Sequence, residues 1–261
     1  MSQKKLVLLG AGWLGKSFAE MFAKKGAVVF AGSRKIKEIE TENEVNYFPL
    51  QFDGDWHFQL SEEEIQQTDW LVIMLPPTHF DDYAAALVNA VQLFPKTTSI
   101  LFTSSTSVYA EIEGVVDESA PLNTEHAVSK AETQLVQLFG ERLTILRLAG
   151  LIGTNRHPAK FFVKKGIIND GLAPVNLVRR EDVIQACIAV IEANRVGEIF
   201  NICSPQHPSR GDYYREAASN LFGVTIPSDQ KGCGKTVDGS RIESELRFNY
   251  AFKIDEWPVF R

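Results

Sequence analysis

The chain has 261 residues, 44% hydrophobic and 23% charged, the balance of a globular protein with room for one large domain or a domain plus a smaller lobe. Its 27 Lys and Arg against 33 Asp and Glu leave a net charge of −6 with no basic tract, which argues against nucleic acid as a partner. Cys187, Cys203 and Cys233 are too few and too widely spaced for a disulfide framework or a zinc site and suit a reducing, cytoplasmic compartment. No stretch is apolar enough for a membrane span, and the apolar run after Lys4-Lys5 is too short for a signal peptide.

The first element is a four-residue apolar strand, Leu6 to Leu9, followed at once by Gly10-Ala11-Gly12-Trp13-Leu14-Gly15. Gly-x-Gly-x-x-Gly between a strand and a helix is the layout that holds a dinucleotide pyrophosphate. Gly10 permits the turn, Gly12 lets the backbone approach the phosphates, and Gly15 lets the helix pack on the strand. The unpaired N–H groups and positive dipole end of the helix then face the anion. Leu14, Phe18, Met21 and Phe22 recur at helical spacing, and Lys24-Lys25-Gly26 closes the helix.

Strands and helices then alternate. Ala27–Ala31 reads as a second strand and Asn46 to Phe52 as a weaker third, ending at Asp53-Gly54. Trp70–Leu75 is a strong fourth strand, stopped by Pro76-Pro77, with an Ala-rich helix over 81–93 behind it. Ser99–Thr103 is a fifth strand, 129–139 a helix and Leu143–Leu148 a sixth strand. Continuous apolar strands between helices predict a Rossmann-type, doubly wound parallel sheet covered on both faces. Residues 150–173 read as irregular. A helix over 181–193 and a strand over 198–203 add one more unit, and 204–261 carry a helix over 211–222, a Gly-rich loop over 232–239 and a short helix over 240–246. The expected division is a dinucleotide domain, 1–150 plus 173–203, and a small C-terminal substrate lobe, 151–172 plus 204–261.

A site for NAD of this type places Asp or Glu at the end of the second strand to bind the ribose 2′-hydroxyl. Here the place reads Gly32-Ser33-Arg34-Lys35, with no carboxylate before Glu38. A hydroxyl and two cations suit a 2′-phosphate, with Arg34 able to make a two-pronged contact, so NADP is preferred to NAD. A solvated basic turn is the plainer alternative.

Three further segments make the chain similar to the extended short-chain dehydrogenase/reductase superfamily, in particular to its atypical, shortened epimerase/dehydratase-like members. Phe102-Thr103-Ser104-Ser105-Thr106-Ser107-Val108-Tyr109 resembles the Ser-Ser-x-x-Val-Tyr run after strand five. His126-Ala127-Val128-Ser129-Lys130 resembles the helix bearing Tyr-x-x-x-Lys, and Leu146-Arg147-Leu148-Ala149-Gly150 resembles the run after strand six. The resemblance implies that Ser105 hydrogen-bonds the reacting oxygen and that Lys130 holds the nicotinamide ribose. It also implies cofactor contacts at Leu75, Pro76, Ser104, Leu148 and Gly150, beside Gly10, Gly12, Trp13, Leu14, Gly15, Ser33, Arg34 and Lys35. Asp53 resembles the aspartate that touches adenine, or is a turn-forming Asp-Gly.

The departure is His126 in the tyrosine position. The i, i+4 spacing puts His126 and Lys130 on one helix face. Either His126 replaces tyrosine as general acid/base, which its near-neutral titration allows, or the normal proton donor is lost and the protein binds NADP(H) as a non-catalytic regulator. A third reading makes His126 a surface residue at a helix start. Arg156-His157 and Arg179-Arg180 are candidates for an anionic substrate or for solvated charge. No metal ligand set and no Gly-x-Ser-x-Gly elbow is present in the sequence. The expected partners are a small-molecule substrate and at most a second copy, giving a monomer or homodimer.

Overall fold

The computed structural model describes residues 3–257. It forms a nine-stranded sheet with the order β12-β9-β7-β6-β1-β2-β4-β3, β5 lying off this path on β4. In chain order the first half is β1 (Lys5–Leu9), α1 (Trp13–Ala23), β2 (Val28–Ser33), β3 (Glu40–Glu42), β4 (Val45–Phe52), β5 (Trp56–Phe58), α2 (Glu62–Gln66), β6 (Trp70–Ile73), α3 (Tyr83–Gln92) and β7 (Ser99–Ser105). The second half is β8 (Gly114–Val116), α4 (Ala127–Phe139), β9 (Leu143–Leu148), β10 (Gly150–Ile152), α5 (Ala159–Lys165), β11 (Leu177–Arg179), α6 (Arg180–Glu192), β12 (Ile199–Ile202), α7 (Arg210–Phe222), β13 (Lys235–Val237) and α8 (Arg241–Glu245). The pairs β1–β2, β1–β6, β6–β7 and β2–β4 are parallel. This is the doubly wound α/β architecture that the strand–helix alternation predicts.

The reason is burial. Leu6, Val7, Leu8 and Leu9 of β1 and Leu71, Val72 and Ile73 of β6 are fully buried, as strands covered on both faces must be. Each such side chain stabilises the fold by about 1.5–3 kcal/mol. Local signals then set the ends. Ser61 and Glu64 close a reciprocal capping box on α2, and Asp82 caps α3 by accepting from Ala85 N–H.

The chain divides into two compact units. The first holds the chain up to Ser104 with Thr124–Leu146 and Val190–Ile199; the second holds Ser105–Asn123, Arg147–Ala189 and the chain from Phe200 onward. The second unit has its own core, in which Ile152, Phe162, Leu177, Tyr213 and Ile254 are buried together.

Three expectations need correction. Residues 150–173 are not irregular throughout, because β10 pairs in parallel with β11 and α5 buries Ala159 and Phe162 before stopping at left-handed Gly166. The Gly-rich loop contains β13, which pairs with β8. The third strand ends at Asp53-Gly54 as expected, and there Gly54 takes φ +116° and the chain turns back as antiparallel β5. Three-residue strands bury too little to show a period of their own; pairing creates them. The fourth strand also stops at Ile73, short of Leu75.

Candidate functional site

The geometry of the first turn follows from its glycines. Gly10 sits at φ +108°, a conformation that side chains resist, and a Cβ there would lie 2.5 Å from the carbonyl oxygen of Met74. The N–H groups of Gly10 and Ala11 both donate to Gly32 O at the end of β2, at 3.2 and 2.8 Å. Gly12 N–H donates back to Gly10 O at 2.8 Å, and Lys16 N–H makes the first helical bond, to Gly12 O at 2.9 Å. A Cβ on Gly15 would lie 2.2 Å from Gly10 O, so α1 touches the turn backbone to backbone.

Gly12 is different. It has φ −85°, is exposed, and a Cβ there would meet nothing within 4 Å. It is the N-cap of the 11-residue α1 and offers no side chain to cap it, while α2, α3, α4 and α7 each carry a side-chain cap. The sequence therefore spends a glycine where neither the backbone conformation nor the packing requires one. Open space over a helix N-terminus is what an incoming pyrophosphate needs. Trp13 and Leu14 are the first two residues of α1.

The other first-unit residues that the family resemblance links to the cofactor lie at or near strand ends. Leu75 touches the first turn, since its Cδ2 would lie 3.2 Å from a Cβ on Gly10. Leu75 O accepts from the hydroxyl of Tyr83, and Pro76 precedes a short 3-10 turn, Pro77–His79. Ser33 ends β2; its hydroxyl accepts from Lys35 N–H at 3.2 Å, a tight turn that carries Arg34 and Lys35 exposed. Asp53 lies in the β4–β5 hairpin turn, exposed, with its Oδ1 2.8 Å from His57 Nε2, a hydrogen bond that holds its carboxyl below the usual range.

Ser104, at the end of β7, is buried and donates to the carboxylate of Glu132, itself 2% exposed on α4. On the same helix His126 is the N-cap: its Nδ1 accepts from Val128 N–H at 3.3 Å. With Nδ1 serving as acceptor, the neutral ring carries its proton on Nε2. Lys130 is exposed and its Nζ pairs with Glu125 Oε2 at 3.0 Å. Glu125 and Glu132 escape sequence reasoning because neither stands at helical spacing from the group it binds.

In the second unit, Ser105 accepts from Ser107 N–H at 3.2 Å and Ser107 Oγ–H at 2.9 Å. Tyr109 is buried, donates to Asn201 Oδ1 at 2.6 Å and accepts from Arg147 at 3.0 Å; burial pushes its phenol up. Arg147 is 3% exposed and also donates to Glu118 O, while Glu118 Oε1 accepts from Asn201 N–H. Leu148 ends β9, and Gly150 opens β10 with its N–H on Asn176 O.

His157 is no ligand for an anion. Its Nδ1 accepts from Ala159 N–H at 3.1 Å, and its Nε2–H donates to Tyr213, whose hydroxyl passes its own proton to Ile254 O. It is 5% exposed among the rings of Tyr213, Tyr214 and Trp257. Arg179 donates to Glu256 O, and both Arg179 and Arg180 lie within 3.5 Å of Glu181. Among the described residues no group of acidic, His or Cys side chains could hold a metal ion.

Comparison with known proteins supplies the family. The chain is 36% identical to Protein YeeZ of Escherichia coli strain K12 over 267 aligned positions, covering 95% of this chain and 96% of that protein. The chain belongs to the YeeZ family. Residues 5–96, from β1 into the loop after α3, also match the model of a family described as NADP oxidoreductase, coenzyme F420-dependent. Solved structures share the fold of this YeeZ-family chain. A functionally unknown conserved protein from Silicibacter pomeroyi DSS superposes with a TM-score of 0.71 at 22% identity, covering 95% of this chain and 93% of that one. UDP-glucuronic acid 4-epimerase from Bacillus cereus, in complex with NAD, gives 0.71 at 16% identity over 95% and 94%. At such identities the likeness is one of fold: the Rossmann-type sheet of epimerases. No helix of the described residues is long and apolar enough to cross a membrane.

Proposed function

We propose that this YeeZ-family chain binds NADP(H) and is an oxidoreductase or epimerase of the atypical extended short-chain dehydrogenase/reductase type. Its substrate is a small molecule with a carbonyl or secondary alcohol, with nucleotide sugars the first class to test. The observation that carries the reading is the open Gly12 at an uncapped helix N-terminus, between two glycines that the local packing does require. Ser33, Arg34 and Lys35 support NADP over NAD, as does the wording of the family that residues 5–96 match. The names of the structural neighbours support the substrate class.

In this proposal Gly10, Gly12, Trp13, Leu14 and Gly15 cradle the pyrophosphate, and Arg34 and Lys35 take the 2′-phosphate. Bound nicotinamide supplies or accepts the hydride. Ser105 hydrogen-bonds the reacting oxygen, and Lys130 holds the ribose hydroxyls. His126 gives a proton from Nε2 as the imidazolium, formed when Nδ1 takes a proton from solvent and releases its capping bond to Val128 N–H, and the ring is left neutral. The lobe of 151–172 and 204–261 holds the substrate, the protein acts in the cytoplasm, and it works as a monomer or homodimer.

A second reading, a non-catalytic NADP(H)-binding regulator, is favoured by the engagement of His126 as a cap and of Lys130 with Glu125. One set of measurements separates the two: NADPH absorbance at the nicotinamide band, for wild type and His126→Phe, with a panel of carbonyls and nucleotide sugars. Turnover abolished by the substitution supports the enzyme. NADPH binding without turnover by the wild type supports the regulator, and no NADPH binding defeats both.

A further inference from the structure

The second unit contains a cavity of about 210 Å³ whose lining includes none of the individual residues given a role in the proposed chemistry. Its wall includes Val115, Pro205 and the Tyr250 side chain; its polar lining includes His207, Asp238 and Glu243. The volume is below the range of drug-sized pockets and suits a molecule of a few heavy atoms.

The lining is held by hydrogen bonds among its own residues and to neighbouring backbone. Tyr250 donates its hydroxyl proton to Gly239 O at 3.0 Å and accepts from Cys203 N–H at 3.1 Å. Asp238 is fixed at its backbone, N–H to Val116 O at 2.8 Å and C=O to Asn201 Nδ2 at 3.0 Å. Each carboxylate uses one oxygen on a main-chain N–H: Asp238 Oδ1 on Ser240 at 2.9 Å and Glu243 Oε1 on Tyr250 at 3.1 Å. His207 Nδ1 lies 3.1 Å from Val175 O; a carbonyl can only accept, so that nitrogen carries a proton, and in the neutral ring Nε2 is the acceptor. Burial pushes the Cys203 thiol up to about 12, which removes it as a nucleophile.

What remains for a ligand, beside the hydroxyls of Thr236 and Ser240, is Asp238 Oδ2, Glu243 Oε2 and His207 Nε2. The last three are acceptors from two stretches of chain, one at 207 and one over 238–243, and two of them are on charged groups. Among the described residues the lining contains neither lysine nor arginine. Such a site repels anions and asks for a ligand made of donors. An alkylammonium group has three N–H donors, one positive charge and an apolar stem that fits the Val115–Pro205–Tyr250 wall.

We propose that this cavity is a binding site for a small primary amine in its ammonium form. The inference is independent of the dinucleotide reading, since every group it uses lies in the second unit.

The test is a titration of the full chain with n-butylamine, n-butanol and butyrate, three probes of one stem and different charge. The amide NMR signals of Gly239, Ser240 and Tyr250 report on the site. Butylammonium is expected to shift them saturably, butanol to bind at least tenfold more weakly, and butyrate to leave them unchanged. The double variant Asp238→Asn, Glu243→Gln keeps Oδ1 and Oε1 as acceptors for Ser240 and Tyr250, so its spectrum stays folded while amine affinity falls at least tenfold. No saturable shift with butylammonium, equal binding of butyrate, or undiminished binding by the folded double variant overturns the proposal.

Discussion

Replacing Gly12 by alanine tests the dinucleotide site with little disturbance of the fold. The backbone there has φ −85°, which alanine adopts, and the new methyl group meets nothing within 4 Å. At an N-cap, alanine is worse than glycine by roughly 0.5–1 kcal/mol. The stiffer unfolded chain returns about 0.4–1 kcal/mol, so the net change in stability is within about 1 kcal/mol of zero. Ligand binding behaves differently. Phosphate oxygens that hydrogen-bond the first N–H groups of α1 come within about 3 Å of the backbone, the space that the methyl group now fills. The expected loss is tenfold or more in NADPH affinity, about 1.4 kcal/mol. Gly15→Ala is the contrasting variant: its Cβ would lie 2.2 Å from Gly10 O, so it disrupts the turn and lowers stability despite alanine's better helix propensity. The assay pairs NADPH fluorescence titration with urea unfolding for each variant. Gly12→Ala that binds NADPH within twofold of wild type refutes the placement of the pyrophosphate.

Other expectations concern specificity, catalysis and pH. Arg34→Ala is expected to weaken NADPH binding at least tenfold and leave NADH nearly unchanged, because a charge-assisted contact to the 2′-phosphate contributes about 1.5–3 kcal/mol; equal losses for both cofactors in fluorescence titrations would exclude a 2′-phosphate contact. His126→Phe is expected to lower kcat by roughly 10²–10⁴-fold, the usual worth of a positioned acid, with NADPH affinity unchanged in the same preparations. Burial, and secondarily the Arg179 charge, hold His157 down to about 4, against about 6.5 in an unfolded chain. The unfolded chain therefore binds a proton that the folded one refuses between those values. Stability from this residue is full above pH 6.5 and is lost as pH falls toward 4, by about 3 kcal/mol in all. Urea midpoints of wild type and His157→Phe should differ most at pH 7 and converge near pH 4; parallel curves would show that His157 does not titrate this way.

Much of the first unit is legible in the sequence because its causes are local. The apolar run Leu6–Leu9, the glycines that follow it and the amphipathic α1 each state their conformation within a few residues. Ser61 and Glu64 likewise announce α2 three residues apart, a signal present in the sequence though not read from it. The candidate chemistry is less legible. His126 and Lys130 stand one helical turn apart, but that His126 spends Nδ1 on a cap and that Lys130 meets Glu125 depends on how the chain enters α4.

By itself the sequence determined the alternation of strands and helices, and hence a parallel sheet with a glycine turn at one strand end. Periodicity and glycine stereochemistry act within a few residues, so no distant contact is needed to read them. Only the tertiary structure decided that β10 joins β11 and β13 joins β8, that His157 is buried among Tyr213, Tyr214 and Trp257, and that Arg147, Tyr109, Asn201 and Glu118 share one buried network. Tyr109 and Asn201 are 92 positions apart. Polar groups taken out of water must find partners wherever the fold supplies them, and sequence spacing carries no record of that search.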